Sequence, residues 1–273
     1  MKIIASIPAY REALFLNYAI KSIYDFVDEI ILVNTAMQSS IDAGYGFTSE
    51  DGTEEILKAW ENDYKIHITT SKSKPRTFKE LMSPGLKLAK ELKGDWLFTV
   101  GADEIWPRNS LLPLKNYLSN CDKNGILGLN VWMYIFAPDF WHFKDFRNPR
   151  LAKITEDSEL SWGDSMCWPQ RNVYQFAGNT TEPYPPNTSQ SVISVNSDYP
   201  KYLRAFHYSC VGEDRVRFKY NFYQKFDGTT GDKYTEAYIK QNWKEFEKMG
   251  YKEFTGKHPK IMMTHFLYNE RKC

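Results

Sequence analysis

Several features that define large protein classes are scarce or missing in this sequence of 273 residues. Only four cysteines occur and none forms a C-x-x-C pair, which disfavours a structural zinc site or a dense disulfide framework. The 35 Lys and Arg residues almost balance the 34 Asp and Glu residues, whereas nucleic-acid binders usually carry a basic excess. No run approaches the roughly 20 apolar residues that span a membrane. These absences predict a soluble globular protein that binds no nucleic acid.

Common catalytic and targeting motifs are missing as well. The sequence contains no G-x-G-x-x-G, no G-x-x-x-x-G-K-[ST] and no G-x-S-x-G motif. About six apolar residues precede Pro8, which is too few for a signal peptide. We therefore expect a cytoplasmic protein with at most peripheral membrane contact.

Aromatic residues, by contrast, make up 16% of the chain. Their rings bury large apolar areas, and they also stack on sugars and bases. Many of them fall between Trp132 and Tyr184. That region is interpreted either as core or as a platform for a sugar acceptor, and the sequence favours core.

The first third of the chain alternates strand and helix patterns. We predict strands over residues 2–7, 29–33, 65–70 and 95–100, with helices after residue 11, after residue 51 and over 84–93. Such alternation is typical of a mostly parallel sheet covered by helices, which binds ligands at the carboxyl ends of its strands. Those ends carry residues 8–12, 34–35 and 101–104. Further β-like runs follow at 125–136 and 172–176.

The strand ends carry motifs that point to one enzyme family. The motifs are P-A-Y-R-E at residues 8–12, V-D-E-I-I-L-V-N at 27–34, D-G-T at 51–53, G-A-D-E at 101–104, F-A-G-N-T-T-E at 176–182 and H-Y at 207–208. Together they resemble the family 2 glycosyltransferases of the GT-A fold. The chain departs from that family at Arg11, where Asn is usual, at Asn34, where Asp is usual, and at Gly101, where D-x-D begins.

The resemblance covers about residues 1–225 and implies an α/β, Rossmann-like GT-A fold with a mostly parallel central sheet flanked by helices. It implies a nucleotide-binding half over residues 1–104 and an acceptor-binding half over 105–225. Residues 226–273 would form a helical C-terminal extension, in which apolar residues share one face before Gly250.

The resemblance also implies a metal site. The diphosphate of a sugar nucleotide leaves with negative charge, which a divalent metal held by oxygen ligands neutralises. Asp103 and His207 are the implied ligands of Mn²⁺ or Mg²⁺. Glu104 is either a further ligand or a support for Asp103 or the acceptor.

Nucleotide-sugar binding would involve the strand ends and the segment after the third strand. The predicted residues are Pro8, Tyr10, Glu12, Asn34, Arg76, Lys79 and Asp103. An Asn amide both donates and accepts, so Asn34 is able to read a base edge. Arg215, Arg217 and Lys219 either face the diphosphate or decorate a helix, and decoration is slightly favoured.

Inverting transfer needs a base that takes the proton of the acceptor hydroxyl. Glu182 matches the carboxylate of the family motif and is the first candidate, although Thr181 replaces the usual His. Asp164 is the alternative. For either residue a solvated loop carboxylate is the competing interpretation.

We therefore predict a metal-assisted, inverting glycosyltransferase of polysaccharide biosynthesis. The donor would be UDP-, GDP- or dTDP-linked, and the acceptor a hydroxyl of a glycan, a lipid-linked sugar or a protein. Gly101 and Thr181 keep an alternative open, a catalytically silent nucleotide- or carbohydrate-binding protein on the same fold. A nucleotidyltransferase would usually show a Gly-rich basic loop after the first strand, which P-A-Y-R-E is not.

Overall fold

The structure, a computed structural model, describes residues 1–71, 73–123, 128–137, 142–156, 158, 160, 193–194, 204–226, 237, 239–240 and 242–269. Within these residues the strands are β1 (Ile3–Pro8), β2 (Glu29–Val33), β3 (Ile66–Thr69), β4 (Trp96–Thr99), β5 (Glu104–Ile105), β6 (Gly128–Phe136), β7 (His142–Lys153), β8 (Ile193–Ser194), β9 (Arg204–His207) and β10 (Lys252–Glu253). The helices are α1 (Leu16–Ile23), α2 (Gln38–Asp42), α3 (Thr53–Trp60), α4 (Phe78–Glu91), α5 (Arg108–Lys123), α6 (Glu213–Phe226), α7 (Trp243–Lys248) and α8 (Phe266–Asn269), with a 3-10 helix over Lys260–Thr264.

The strands form one sheet with two halves. In the first half the order is β3-β2-β1-β4 and every pairing is parallel. The second half continues as β7-β6-β9-β5, where β7 is antiparallel to β4 and β6, and β5 is antiparallel to β9. The parallel half brings the carboxyl ends of β1, β2 and β4 to one edge. Because Glu104 in β5 pairs with His207 in β9, the segment after β4 meets the end of β9.

Both faces of the parallel half are covered, as the continuous apolar runs of its strands predict. Ile3, Ala5 and Ile7 belong to the same buried cluster as residues of α1, α3 and α5. Ile4 and Ile31 belong to a second buried cluster with residues of α4 and α6. The alternation along β1 therefore separates two cores, one on each side of the sheet.

The predicted α/β fold is confirmed. The four strands expected in the first third of the chain lie within one residue of their predicted ends, and β6 lies inside the predicted run 125–136. The β-like run at 172–176 lies outside the described residues.

The prediction for α4 was wrong at its start. Ser83 and Pro84 suggested a helix beginning at Pro84, but α4 begins at Phe78 and contains Pro84. Thr77 is the N-cap, since its hydroxyl oxygen accepts a hydrogen bond from the Glu80 N–H at 3.1 Å. The Glu80 carboxylate in turn accepts from the Arg76 N–H at 2.7 Å. The first bond satisfies a free donor of the first turn, and the second holds the residue before the N-cap, so the helix begins at Phe78 despite the unfavourable interior proline.

The C-terminal part of the chain contains helices and one strand. The helix predicted up to Gly250 is present as α7, and Gly250 has a φ of 88°, the left-handed conformation common at helix ends. After it, β10 pairs antiparallel with β7. The domain limits at 225 and 226 stay a prediction. Among the described residues, no helix has the length and apolar character needed to cross a membrane.

Candidate active site

A cavity of about 110 Å³ lies at the carboxyl ends of β1 and β2, where a ligand is expected in a parallel sheet. It is lined by Pro8, Tyr10, Glu12, Val33, Thr35, Met37, Ser40, Phe78, Leu81, Phe218, Lys219, Phe222 and Tyr223. Three residues predicted to bind the nucleotide, Pro8, Tyr10 and Glu12, belong to this lining. Helices α4 and α6 contribute most of the apolar wall.

A second cavity, of about 350 Å³, is larger. Ser110, Tyr134, Arg204 and His258 are among its lining residues, which come from α5, β6, β9 and the C-terminal segment. No residue from the ends of β1, β2 or β4 lines it. Position rather than volume therefore identifies the smaller cavity as the candidate site.

The D-G-T turn holds the loop after β1 in place. Thr53 Oγ1 accepts a hydrogen bond from the Glu12 N–H at 2.9 Å, and Asp51 Oδ2 accepts from the Ala13 N–H at 3.1 Å. Asp51 Oδ1 also accepts from the N–H and the hydroxyl of Thr53, at 3.2 and 2.7 Å. Gly52 has a φ of 97°, which glycine adopts without steric cost. The two motifs that are separate in sequence are thus one structural unit.

Arg11, which stands where the family motif usually has Asn, has a left-handed backbone conformation. Its φ is 53°, in the left-handed region where Asn is tolerated better than most residues. The guanidinium lies 4.6 Å from the ring centre of Tyr45 and 5.4 Å from that of Phe218. The Arg11 N–H donates to Ser49 Oγ at 2.9 Å. These cation–π contacts compensate for the unfavourable backbone and tie the loop to α6.

Three nitrogen atoms surround one oxygen of Asp103. Arg215 Nη2 lies 2.6 Å from Asp103 Oδ2, while Lys219 Nζ and His207 Nε2 each lie 3.1 Å from it. The side chains of Asp103 and Arg215 are only 6% and 5% exposed. Arg215 also donates to both carboxylate oxygens of Glu12, at 2.7 and 3.0 Å. We call these residues, Glu12, Asp103, His207, Arg215 and Lys219, the Asp103 cluster.

Burial and the neighbouring cations act in opposite directions on the pKa of Asp103. Burial alone raises that pKa because the charged form loses hydration. The charges of Arg215, His207 and Lys219 outweigh burial and hold the pKa of Asp103 well below its usual value. For the same reason the pKa of Arg215 is raised by Asp103 and Glu12, although burial lowers it. Asp103 is therefore a carboxylate at neutral pH.

Glu104 faces a different partner. Its carboxylate forms a bidentate ion pair with the Arg150 guanidinium, with Nε 2.9 Å from Oε2 and Nη2 bonded to Oε1. Both side chains are almost completely buried, at 1% and 0% exposed. Neither residue lines the candidate cavity. The idea that Glu104 is a further metal ligand finds no support, because both of its oxygens are bound to Arg150.

The described residues do not fit a divalent metal at Asp103. No group of three His, Cys, Asp or Glu side chains suited to a metal lies together among them. A metal bound at about 2.1 Å from Asp103 Oδ2 would lie within about 5 Å of both the Arg215 and Lys219 cations, which repel it. His207 Nδ1 is buried without a partner in the described part of the chain. His207 Nε2 faces Asp103 Oδ2, a carboxylate oxygen that only accepts, so we assign an N–H to Nε2, and this leaves no Nε2 lone pair for a metal.

The remaining predicted site residues either do not line the cavity or lie outside the described residues. Asn34 follows β2, and its side-chain amide donates to Glu54 Oε1 at 2.9 Å. Arg76 and Lys79 lie at the start of α4, next to Phe78 of the lining, and Arg76 is exposed. Glu182 and Asp164, the two candidate bases, lie outside the described residues.

Arg215 and Lys219 are the site residues that sequence reasoning undervalued. Both were slightly favoured as surface decoration. For these two residues that interpretation was wrong, because Arg215 pairs with Asp103 and Glu12, and Lys219 pairs with Asp103, inside the site. Arg217 does decorate the helix, since it is exposed and pairs with Glu213. The i, i+4 spacing of Arg215 and Lys219 was the available signal, because it places both on one helix face.

Comparisons with known proteins describe similarity at low sequence identity. No protein-family model matches the chain, and no curated protein matches it significantly. One similar structure is that of Staphylococcus aureus TarS, a glycosyltransferase, in complex with UDP. Its sequence is 17% identical and the TM-score is 0.35; the alignment covers 50% of this chain and 36% of the TarS chain. Another TarS structure has the same identity and TM-score but is covered over only 21% of its chain. The chain thus spans about a third or less of the TarS structures.

An enzyme of another kind resembles this chain at nearly the same sequence identity and TM-score as TarS. It is 4-diphosphocytidyl-2C-methyl-D-erythritol synthase from Anaerococcus prevotii, at 16% identity and a TM-score of 0.36. The alignment covers 56% of this chain and 71% of that protein.

Proposed function

We propose that this protein is a glycosyltransferase that takes a sugar from a nucleotide donor and transfers it to a hydroxyl group. The observation that carries the proposal is the cavity at the ends of β1 and β2, lined by the P-A-Y-R-E loop and by Lys219. An apolar wall, hydroxyl groups and a cation in one cavity suit the base, ribose and diphosphate of a sugar nucleotide.

Each part of the lining has a chemical counterpart in such a donor. Phe218 and Phe222 offer ring faces and edges against which a nucleobase packs. Thr35 and Ser40 supply hydroxyl groups that donate and accept hydrogen bonds with a base or a ribose. Lys219 supplies a compact positive charge for the diphosphate.

The bond changes follow from the reaction class. The bond between the anomeric carbon and the diphosphate oxygen breaks, and its electron pair leaves with the diphosphate. The acceptor oxygen bonds to the anomeric carbon while a general base takes its proton. Glu182, with Asp164 as the alternative, is our proposal for that base, and inversion at the anomeric carbon is part of the same proposal.

The donor class extends to UDP-, GDP- or dTDP-linked sugars, and the acceptor to a glycan, a lipid-linked sugar or a protein, as in polysaccharide biosynthesis. The metal assistance expected from the family resemblance also remains a prediction. The Arg215 and Lys219 charges beside Asp103 argue against it.

Turnover of a panel of sugar nucleotides tests the proposal. Release of nucleoside diphosphate should be detected for at least one donor, with hydroxyl acceptors present or with water alone. Ser40→Leu should reduce that release about 10-fold or more, because it places apolar bulk and removes a hydroxyl in the cavity. Ser110→Leu is the matched control, since Ser110 is also a buried serine but lines the second cavity.

Three outcomes separate the candidate functions. No turnover and no nucleotide binding would refute the proposal. Nucleotide binding without turnover for any donor would favour the silent binding protein that Gly101 and Thr181 keep open. Release of pyrophosphate from nucleoside triphosphates, rather than of nucleoside diphosphate from sugar nucleotides, would indicate a nucleotidyltransferase.

A further inference from the structure

The positive charge in the candidate site is supplied by the protein. Two cations, Arg215 and Lys219, contact Asp103 Oδ2 in the place where the family resemblance implies a metal ion. The donor diphosphate still needs a partner for its developing charge. A cation is able to contact that diphosphate only if one of its hydrogens is not already bonded within the protein.

Arg215 has none to spare. The Nε hydrogen and one Nη2 hydrogen are donated to Glu12. The other Nη2 hydrogen is donated to Asp103. Its Nη1 donates to the carbonyl oxygens of Tyr208 and Ser209, at 3.3 and 2.9 Å. All five guanidinium donors are thus used inside the protein. Arg215 therefore holds Glu12 and Asp103 in position rather than contacting a ligand.

Lys219 is different. Its ammonium group donates to Asp103 Oδ2 at 3.1 Å and to the Ser209 carbonyl at 3.2 Å. An ammonium has three hydrogens, so one remains after these two bonds. Lys219 lines the candidate cavity and its side chain is 17% exposed, whereas Arg215 does not line it. Within the Asp103 cluster, this hydrogen of Lys219 is the charged hydrogen-bond donor that a ligand in the cavity is able to contact.

Gly101 supports this arrangement. A Cβ atom at this position would lie 2.8 Å from both Asp103 Oδ1 and Glu104 Oε1, closer than side-chain carbons pack. The first carboxylate of a D-x-D motif therefore does not fit at residue 101 while Asp103 and Glu104 keep their places. The chain lacks one carboxylate of that motif, and Oδ2 of the other, Asp103, is bound to cations.

We propose that Lys219, anchored by Asp103 and the Ser209 carbonyl, contacts the donor diphosphate and takes the place of a divalent metal, so that donor binding and transfer need no metal ion. This inference rests on the proposed function. In the transfer step, the electron pair of the broken bond stays on the diphosphate oxygen, and the Lys219 ammonium stabilises that charge without giving up its proton.

Nucleotide binding in EDTA tests the inference without knowledge of the donor sugar. UDP, GDP and dTDP, and the corresponding nucleosides, would be titrated into the native chain by calorimetry in EDTA and then with Mn²⁺. We expect at least one diphosphate to bind in EDTA, with an affinity within about 3-fold of that in Mn²⁺. Lys219→Met should weaken that binding about 10- to 100-fold, since it removes one charge-assisted hydrogen bond. Binding of the nucleoside should be unchanged.

Two further variants provide controls. Lys219→Arg keeps the charge and should recover most of the diphosphate affinity. Arg217→Met removes a cation from the exposed face of the same helix, where it pairs with Glu213, and should have no effect. Thermal unfolding followed by circular dichroism would verify that every variant is folded.

The outcomes distinguish this inference from the function on which it rests. Diphosphate binding that EDTA abolishes and Mn²⁺ restores would overturn the role of Lys219 but leave the glycosyltransferase proposal intact. Equal loss of nucleoside and diphosphate affinity in Lys219→Met would also overturn it, because the residue would then shape the cavity. Failure of every nucleoside and diphosphate to bind would overturn the proposed function itself.

Discussion

Asp103 and Glu104 are neighbours in the chain, yet they belong to two regions of opposite character. Glu104 and Arg150 form a closed pair in which each side chain is almost completely buried. Asp103 belongs to a cluster that is open on one side, since Glu12 and Lys219 line the candidate cavity. Both carboxylates are bound by arginine, so the kind of partner does not separate them. What separates them is whether a cation of the group retains a donor that faces a cavity.

The two regions show how a charged binding site differs from a structural ion pair. A closed pair spends all its hydrogen bonds within the protein, so its contribution is to the fold and is lost only when one partner is removed. An open cluster retains a charged hydrogen-bond donor that faces a cavity, here the third hydrogen of Lys219, which is typical of a binding site. Changes in the closed pair should therefore act on stability alone, and changes in the open cluster on ligand binding as well as on stability.

The largest expected effect on stability comes from the closed pair. Arg150→Met leaves the Glu104 carboxylate buried without its partner, which should reduce the free energy of unfolding by about 3–5 kcal/mol. Urea unfolding followed by circular dichroism measures this. Arg108→Met is the matched control, because Arg108 forms an exposed pair with Asp25 that should contribute about 0–1 kcal/mol. Equal losses in the two variants would contradict the special role of the closed pair.

A smaller effect is expected from Asp103→Asn, and it should depend on pH. The folded-state pKa of Asp103 is held well below its usual value. A lowered folded-state pKa gives stability that is fully present above the unfolded-state pKa, about 3.9, and lost as the pH falls through the folded-state pKa. At neutral pH the variant should lose about 1.5–3 kcal/mol, the contribution of hydrogen bonds to a charged group.

Below pH 4 the difference between native and Asp103→Asn chains should shrink, because the Asp103 carboxylate of the unfolded native chain then binds a proton that the folded chain, with its lower pKa, does not. Urea unfolding between pH 7 and pH 3 tests this sign. A difference that stays constant over that range would show that Asp103 contributes to stability through shape rather than through charge.

Features that depend on residues close together in the sequence were predicted, and features that depend on distant residues were not. The strands were predicted because their apolar runs are local, and the D-G-T turn because its Asp and Gly have local roles. The pairing of Arg215 with Glu12 joins residues 203 positions apart, and nothing local reports it. Likewise, the different roles of Asp103 and Glu104 depend on Arg150, which comes 46 residues after Glu104. The predicted bases Glu182 and Asp164 remain untested for a different reason, since they lie outside the described residues.

The start of α4 shows a further limit. The start was predicted at Ser83-Pro84, but α4 begins after Thr77, which was not predicted as a helix start. The observed start depends on the bonds between Thr77, Glu80 and Arg76, together with burial of Leu81 and Met82 in the core. Local signals thus identify candidates, and packing selects among them.

The smallest effect is expected at Gly101, which lies between the two regions. Its φ is not in the left-handed region, so Gly101→Ala is allowed by the backbone, but the new methyl group would press on Asp103 Oδ1 and Glu104 Oε1. The cost of overpacking, about 1–3 kcal/mol, is offset in part by the lower entropy of the unfolded chain, about 0.4–1 kcal/mol. We expect a net loss of about 1 kcal/mol in urea unfolding, and weaker diphosphate binding as the Asp103 carboxylate shifts and slackens its hold on Lys219. Gly46→Ala is the control, because a Cβ there would meet its nearest neighbour at an ordinary 3.5 Å. If Gly101→Ala lost stability but bound diphosphate with native affinity, the carboxylate that moved would be Glu104, and the open cluster would be less sensitive to its neighbour than the closed pair.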